Sequence, residues 1–552
     1  MSSFNMATAP HRRKILVTLA LIAIVVCGCH VEANPKATSS TQSESNRDSA
    51  SEKKNSSQSN SASSESKKTA QGVRELIVAA KLAPNPPGEV RTDRWMMNSI
   101  DGRWAGWTHQ VDTEEEVDGQ VRLHTLSETE LLVNRSGEEH VQRLSIHSIA
   151  NKKSEMLGLE MRLPGNTVEV EPRDDKWIAH ITVAGKTIPK PLPIEGKHLD
   201  ANAPERSLAE KPLVPGEKRT VRHFIPTTNQ IGETQYVAED LEDVTFPGGS
   251  ERLLKATSRM VLTTGTQEST VWCDETGQIR KSLVSGLRLE TIETSPEIAL
   301  RKPAGELYDL GLATIVKVDR FLSNTQTASR FTFKAKLKES AIDGLFVNDA
   351  SQKVEVLSKR EARITIIRVR PDEPKELLSE NKSPSDADKA AGTMIQSDDV
   401  GIQAFAASIA NGESDPWKFA LKAELAVRRI IEKHDYSQAF SSATEVLRDR
   451  QGDCTEHAVL FAAACRARGI PARVAAGLVY VPSSQGFAYH MWNEVWIADR
   501  WVPMDATRPG GMGVDHIKLV VTNLNDTDPM AAMLPVINVI GQLEIEVESV
   551  DP

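Results

Sequence analysis

The chain has few cysteines and no excess of positive charge. Five cysteines occur in 552 residues, and 66 basic against 76 acidic residues leave a net charge of −10. A surface that grips phosphates needs a basic excess somewhere, and no basic run follows the amino terminus, so a nucleic-acid partner is not expected. No nucleotide or flavin motif occurs, and neither a cofactor nor a metal is expected. After the first apolar run no segment is long enough to span a bilayer. What is present is 39% hydrophobic and 26% charged residues, a globular composition in a chain too long for one core, which implies two to four domains.

The amino terminus reads as a targeting segment. His11-Arg12-Arg13-Lys14 is a positive patch, and residues 15–26 form an apolar run too short for an ordinary span. The run closes on Val26-Cys27-Gly28-Cys29. This resembles a bacterial lipoprotein signal, which implies cleavage before Cys29 and lipid attachment there; an uncleaved signal anchor and a plain secretory peptide are the alternatives. The resemblance implies an exported, membrane-anchored protein on the periplasmic side or the cell surface. Residues 30–71 are Ser-rich, with too little apolar surface to fold, and read as a disordered tether. With Cys27 removed and Cys29 lipidated, Cys273, Cys454 and Cys465 remain, an odd number that leaves at least one thiol unbridged. Cys454 and Cys465 stand roughly 16 Å apart on one helix, beyond disulfide reach. A Cys273–Cys454 bridge stays open.

Short alternating runs such as Val121-Arg122-Leu123-His124 and Leu144-Ser145-Ile146-His147 mark half-buried strands. Residues 72–302 read as a mainly antiparallel β domain, 303–371 as a second β-rich module, and 372–400 as a linker. The texture then changes. Residues 401–525 alternate helix and strand signals, and 526–552 read as a terminal strand or tail. Asp415 can cap a helix with Pro416 in its first turn, its buried face drawn from Phe419, Leu421, Leu425, Ile430 and Ile431. A short helix follows at 442–447. Asp453 and Glu456 have capping-box spacing before a third helix at 454–468, which stops at Gly469 ahead of Pro471. Strands are expected at 473–481, 490–497 and 501–504.

Three residue types with complementary chemistry fall on these elements. Cys454 opens its helix, where unpaired amides and the helix dipole favour a thiolate and could bind an oxyanion; a small buried helix-start cysteine is the competing reading. His490 begins a strand, and Asp505 ends the next. If Asp499-Arg500 were the hairpin turn, Asp505 would lie opposite Glu494, roughly 13 Å along from His490. A hydrogen bond would then need another turn, a bulge or a departing strand end. His457 is a rival base, but its imidazolium would form in a helix's first turn, where positive charge is disfavoured; it reads as structural or supporting. His516 lies in a segment without clear pattern and reads as a surface residue. Cys465 is too far along the helix to share zinc with Cys454 and His457.

Five stretches together, Ser442-Ala443-Thr444-Glu445-Val446-Leu447, Gly452-Asp453-Cys454-Thr455-Glu456-His457-Ala458, Gly469-Ile470-Pro471-Ala472-Arg473-Val474, His490-Met491-Trp492-Asn493-Glu494-Val495 and Trp501-Val502-Pro503-Met504-Asp505-Ala506-Thr507, resemble the transglutaminase-like superfamily, and within it the bacterial transglutaminase-like cysteine proteases. The resemblance spans roughly residues 415–508. It implies an α+β class with a papain-like core at the carboxy-terminal end, preceded by the antiparallel β region. It further implies Cys454 as nucleophile, His490 as general base and acid, Asp505 as orienting carboxylate, and a protein or peptide substrate. Asp453 and Thr455 stand where the animal cross-linking enzymes carry Gln and Trp. The implied activity is therefore amide hydrolysis or transamidation by a cysteine peptidase, amidase or transamidase. The alternative is a non-catalytic binding or assembly protein that uses this fold as a scaffold. Action on cell-wall peptides is a substrate variant of the first.

Overall fold

A computed structural model describes residues 74–551, except 136–137, 184, 263–264, 285, 287, 305–306, 339–340, 373–381, 433–440, 509–511 and 526–531. The apolar run, Cys27, Cys29 and the Ser-rich tether lie outside the described residues. Among the described residues no helix is long and apolar enough to cross a membrane.

Most of the first half is one fourteen-stranded antiparallel sheet. The strands from Glu89–Ile100 to Lys186–Glu195 follow one another as neighbours, as do those from Lys218–Ile225 to Leu289–Thr294, and the two runs join where Glu89–Ile100 pairs with Leu289–Thr294. The period-two alternation has its cause here: Leu144 and Ile146 are buried along one strand, pointing to a shared core with Leu131, Met161 and Trp177. A polar row crosses the same sheet. Thr291 donates to Asn98, Asn98 to Thr108, and Thr108 meets Thr129, each at 2.9 Å. Cys273 packs with Leu208 and Tyr236, and burial pushes its thiol up to about 12.

Two smaller sheets complete the chain. Strands Gln352–Ser358, Glu361–Ile367, Arg330–Leu337 and Leu543–Asp551 lie in that order. The last strand pairs antiparallel with Arg330–Leu337, which brings the chain's final residues onto a sheet begun two hundred residues earlier in the fold. The third sheet has the order Val316–Lys317, Gly486–Ile497, Ala472–Val481 and His516–Thr522, with Arg500–Met504 also paired to Gly486–Ile497.

Helices Val400–Ala410, Pro416–Ile430, Ala443–Asp449 and Cys454–Ala467 pack together, with the last at their centre and against the third sheet. The middle of that helix is apolar all round: Val459 through Cys465 are fully buried, as a core helix requires. On Pro416–Ile430 the buried stripe is Phe419, Ala420, Ala423, Glu424 and Val427. Leu425 is 44% exposed, against expectation, because it falls one residue past this stripe on the helical wheel.

Candidate active site

The Cys454 helix begins where its sequence places it. Asp453 is the N-cap and its carboxylate accepts from Thr455 N at 2.8 Å, while the Glu456 carboxylate accepts from Asp453 N at 2.9 Å. Glu456 also accepts from Ser441 N at 3.0 Å, which ties the preceding segment to the helix start. Burial, then the nearby Asp453 carboxylate, push the Glu456 carboxyl well above its usual range. Gly452 has φ +150, and a Cβ there would lie 2.3 Å from Glu456 Cβ, so only glycine lets the box close. His457 Nδ1 donates to the Asp453 carbonyl at 2.6 Å, a bond within its own helix cap that fits a structural role.

Direction in the helix–sheet layer follows from its anchors. The Cys454 helix ends close to Ala472: Arg466 donates to Ala472 O at 3.0 and 2.7 Å, and Ala472 pairs with Val495. Nearer the helix start, Asn493 donates to Ala458 O at 2.9 Å. Helix and histidine strand therefore run the same way. Helix rise carries Cys454 roughly 18 Å from Arg466, and strand rise carries His490 roughly 17 Å from Val495. The helix start and His490 thus lie toward the same end of the layer. Cys454 is buried and, like Cys273 and Cys465, not disulfide-bonded, so the Cys273–Cys454 bridge is absent. Burial raises the Cys465 thiol strongly.

His490 and Asp505 meet. His490 Nε2 lies 3.0 Å from Asp505 Oδ2, and both residues are 1% exposed. The expected register is corrected by the turn. Ile497 pairs with Arg500 and Asn493 with Met504, so the turn residues are Ala498 and Asp499, with φ of 53° and 57°. The shift draws Asp505 level with Trp492, and the strand ends at Met504, freeing Asp505 to turn toward His490. Its backbone N donates to Glu424 Oε1 at 3.0 Å, and its Oδ1 accepts from Thr507 N and Oγ1 at 2.9 and 2.6 Å. Burial opposes the charge, but the adjacent His490 and His516 hold the Asp505 carboxyl well below its usual range.

His516 is not a surface residue. It opens the strand His516–Thr522, is 4% exposed, and places Nε2 3.2 Å from Asp505 Oδ2 and Nδ1 2.8 Å from Asp515 Oδ1. The strand was hidden in the sequence because its polar members are satisfied by distant partners. Lys518, for instance, reaches Glu494 and Asp349, each at 2.5 Å. The one available signal was the alternation of His516 and Lys518 with Ile517 and Leu519. Trp492 packs edge-on to His516 at 5.0 Å and parallel to His490 at 6.2 Å.

His490, Asp505 and His516 present ligand atoms within 4.8 Å of one another, and no cysteine belongs to that group. A metal needs neutral imidazoles. Both nitrogens of His516 face carboxylates, so the set is better satisfied by hydrogen bonds than by a cation. On the other side of the His490 ring, buried Nδ1 has no hydrogen-bond partner.

Residues 403–506 match the family described as the transglutaminase-like superfamily, and the chain carries a transglutaminase-like domain there. No curated protein matches the chain. Solved structures similar to it include a candidate cysteine protease from Cytophaga hutchinsonii, 16% identical, covering 41% of this chain and 92% of that one, with a TM-score of 0.27. The periplasmic domain of TgpA from Pseudomonas aeruginosa, bound to ethylmercury, is 12% identical over 33% of this chain and 91% of that one, with a TM-score of 0.21. A β-barrel-like protein of a domain of unknown function from Brucella abortus is 9% identical over 37% of this chain and 94% of that one, with a TM-score of 0.27.

Proposed function

We propose that the chain is a thiol-dependent acyl-transfer enzyme acting on amide bonds, with a papain-like arrangement of Cys454, His490 and Asp505, exported and held at a membrane by lipid on Cys29. The observation that carries the reading is the His490–Asp505 bond at 3.0 Å, which leaves Nδ1 on the opposite edge of the ring without a partner. An imidazole held this way can take the thiol proton and later return it. The Cys454 thiolate attacks the amide carbonyl carbon, and amides at the helix start stabilise the oxyanion. The C–N bond breaks as His490 protonates the departing amine, leaving a thioester. Water or an amine then adds, giving up its proton to His490, and the thiol departs from a carboxylic acid or a new amide. The substrate class is protein or peptide.

A second reading, a non-catalytic scaffold, draws support from the burial of Cys454, which is 1% exposed. Alkylation by iodoacetamide of the native full chain separates the two. The enzyme reading expects Cys454 to be labelled in a pH-dependent manner, slowed by His490→Asn and lost in Cys454→Ala. Labelling of Cys454 only after denaturation supports the scaffold. Trapping of an acyl group on Cys454 from a native extract, read by mass spectrometry, then identifies the substrate.

A further inference from the structure

We infer that His516 is a positioning residue that carries a fixed positive charge on the Asp505 carboxylate and so limits how strongly that carboxylate stabilises an imidazolium at His490. This rests on the acyl-transfer reading of the site.

The argument is one of donors and acceptors. Ionised carboxylates only accept. His516 Nε2 faces Asp505 Oδ2 and Nδ1 faces Asp515 Oδ1, so both bonds form together only when both nitrogens carry hydrogen, which makes the ring an imidazolium. Asp515 is itself fixed as an anion. Its Oδ2 accepts from Gln326 Nε2 at 2.8 Å and pairs with Arg508 at 2.9 Å. Burial would raise its pKa, but the charges of His516 and Arg508 bring it down to about 2. Burial likewise opposes the His516 charge, and Asp515 and Asp505 more than restore it, raising its pKa.

Among the described residues, the anions that face His516 are Asp505 and Asp515. Asp515 stands just before the His516 strand and Lys518 lies in it, while His490 and Trp492 reach His516 from Gly486–Ile497, beyond the intervening strand Ala472–Val481. The segment after Met504 contributes Asp505, with Arg508 acting through Asp515. Arg368 and Lys518 share with His516 the wall of a small cavity of about 20 Å³. Lys518 is neutralised by Glu494 and Asp349. One Asp505 oxygen, Oδ2, thus serves two imidazoles, and the charge on one weakens its pull on the other.

The test uses the full chain with iodoacetamide as probe. In the wild type, the alkylation rate of Cys454 against pH should show a lower inflection where the thiolate–imidazolium pair forms and an upper one where the imidazolium loses its proton. His516→Gln keeps a donor toward Asp505 but removes the charge. The upper inflection should rise by about one pH unit. Asp515→Asn, which leaves the His516 ring in place, should shift it the same way by less. A purely structural role would lower the rate at every pH without moving the inflection, and that result in both folded variants overturns the inference alone. Nitrogen-15 histidine spectra of the wild type give an independent arm: both His516 nitrogens protonated at pH 7 supports the inference, and a neutral tautomer overturns it. Failure of wild-type Cys454 to label at any pH would instead remove the catalytic reading, and the tuning with it.

Discussion

Asp505 is hydrogen-bonded to His490 at 3.0 Å, yet the two are not partners in the hairpin that carries them. Asn493 pairs with Met504, and beyond Met504 the chain leaves the ladder. The meeting depends on a turn centred on Ala498 and Asp499, both in the left-handed region, where a hairpin's two central residues sit when its twist matches the strands.

Ala498 pays a conformational penalty at φ 53° that Asn or Gly would not. Ala498→Asn should stabilise the fold by about 1 kcal/mol, seen as a rise in the thermal midpoint with Cys454 alkylation unchanged. A lower midpoint would contradict this account of the turn.

Asp505→Asn preserves shape but removes the charge that two imidazoles share. Alkylation of Cys454 near neutral pH should slow by about tenfold or more, since one pKa unit of lost stabilisation is a factor of ten. Circular dichroism should stay native. Labelling at the wild-type rate would show that Asp505 does not act on the thiol through His490.

Acid should destabilise the fold through Glu494 and Asp515. Burial alone would raise both pKa values, but Lys518 and Arg473 bring Glu494 to about 2, and His516 and Arg508 bring Asp515 to about 2. A depressed folded pKa contributes stability above the unfolded value, here 4.5 and 3.8, which is lost as pH falls toward 2. The contributions are on the order of 3 kcal/mol for Glu494 and 2 kcal/mol for Asp515. Urea unfolding between pH 5 and pH 2 should show a shallower decline for Glu494→Gln, from a lower starting stability because Lys518 and Arg473 are left buried beside a neutral amide. Parallel curves for variant and wild type would remove Glu494 from the account.

Gly477 pairs with His490 on one side and with Lys518 on the other, at a register shift. A Cβ there would lie 1.9 Å from the Ile517 carbonyl oxygen, so Gly477→Ala must push the strand of His516 outward. A loss of about 1–3 kcal/mol is expected, with His516 nitrogen-15 signals displaced more than those of His223, buried in the large sheet. Equal displacement of both would point to general unfolding instead.

The proposed lipid anchor carries a prediction of its own. Cys29→Ser in the full chain, produced in a bacterial host, should abolish incorporation of a palmitate label and move the protein from the membrane to the soluble fraction. Retained label would reject Cys29 as the attachment site.

Local chemistry made part of this chain legible from its sequence. The capping box at Asp453 and Glu456, the stop at Gly469 and Pro471, and the period-two runs of the large sheet each depend on neighbours a few residues apart. Cys454 at a helix start and Asp505 just past a strand end stood out for the same reason, whereas His490, expected to begin its strand, lies inside Gly486–Ile497 because the residues before it also pair with Ala472–Val481. Tertiary structure alone decided the rest. His516 was hard to read because Asp505 reaches it only once a strand marked by little more than one polar–apolar alternation joins the sheet, and Lys518 hides in the core because Glu494 and Asp349 arrive from distant parts of the chain. The approach of Asp505 to His490 turned on one residue of turn position. A shift of that size costs little in local sequence preference but moves every cross-strand neighbour, so packing rather than propensity set it.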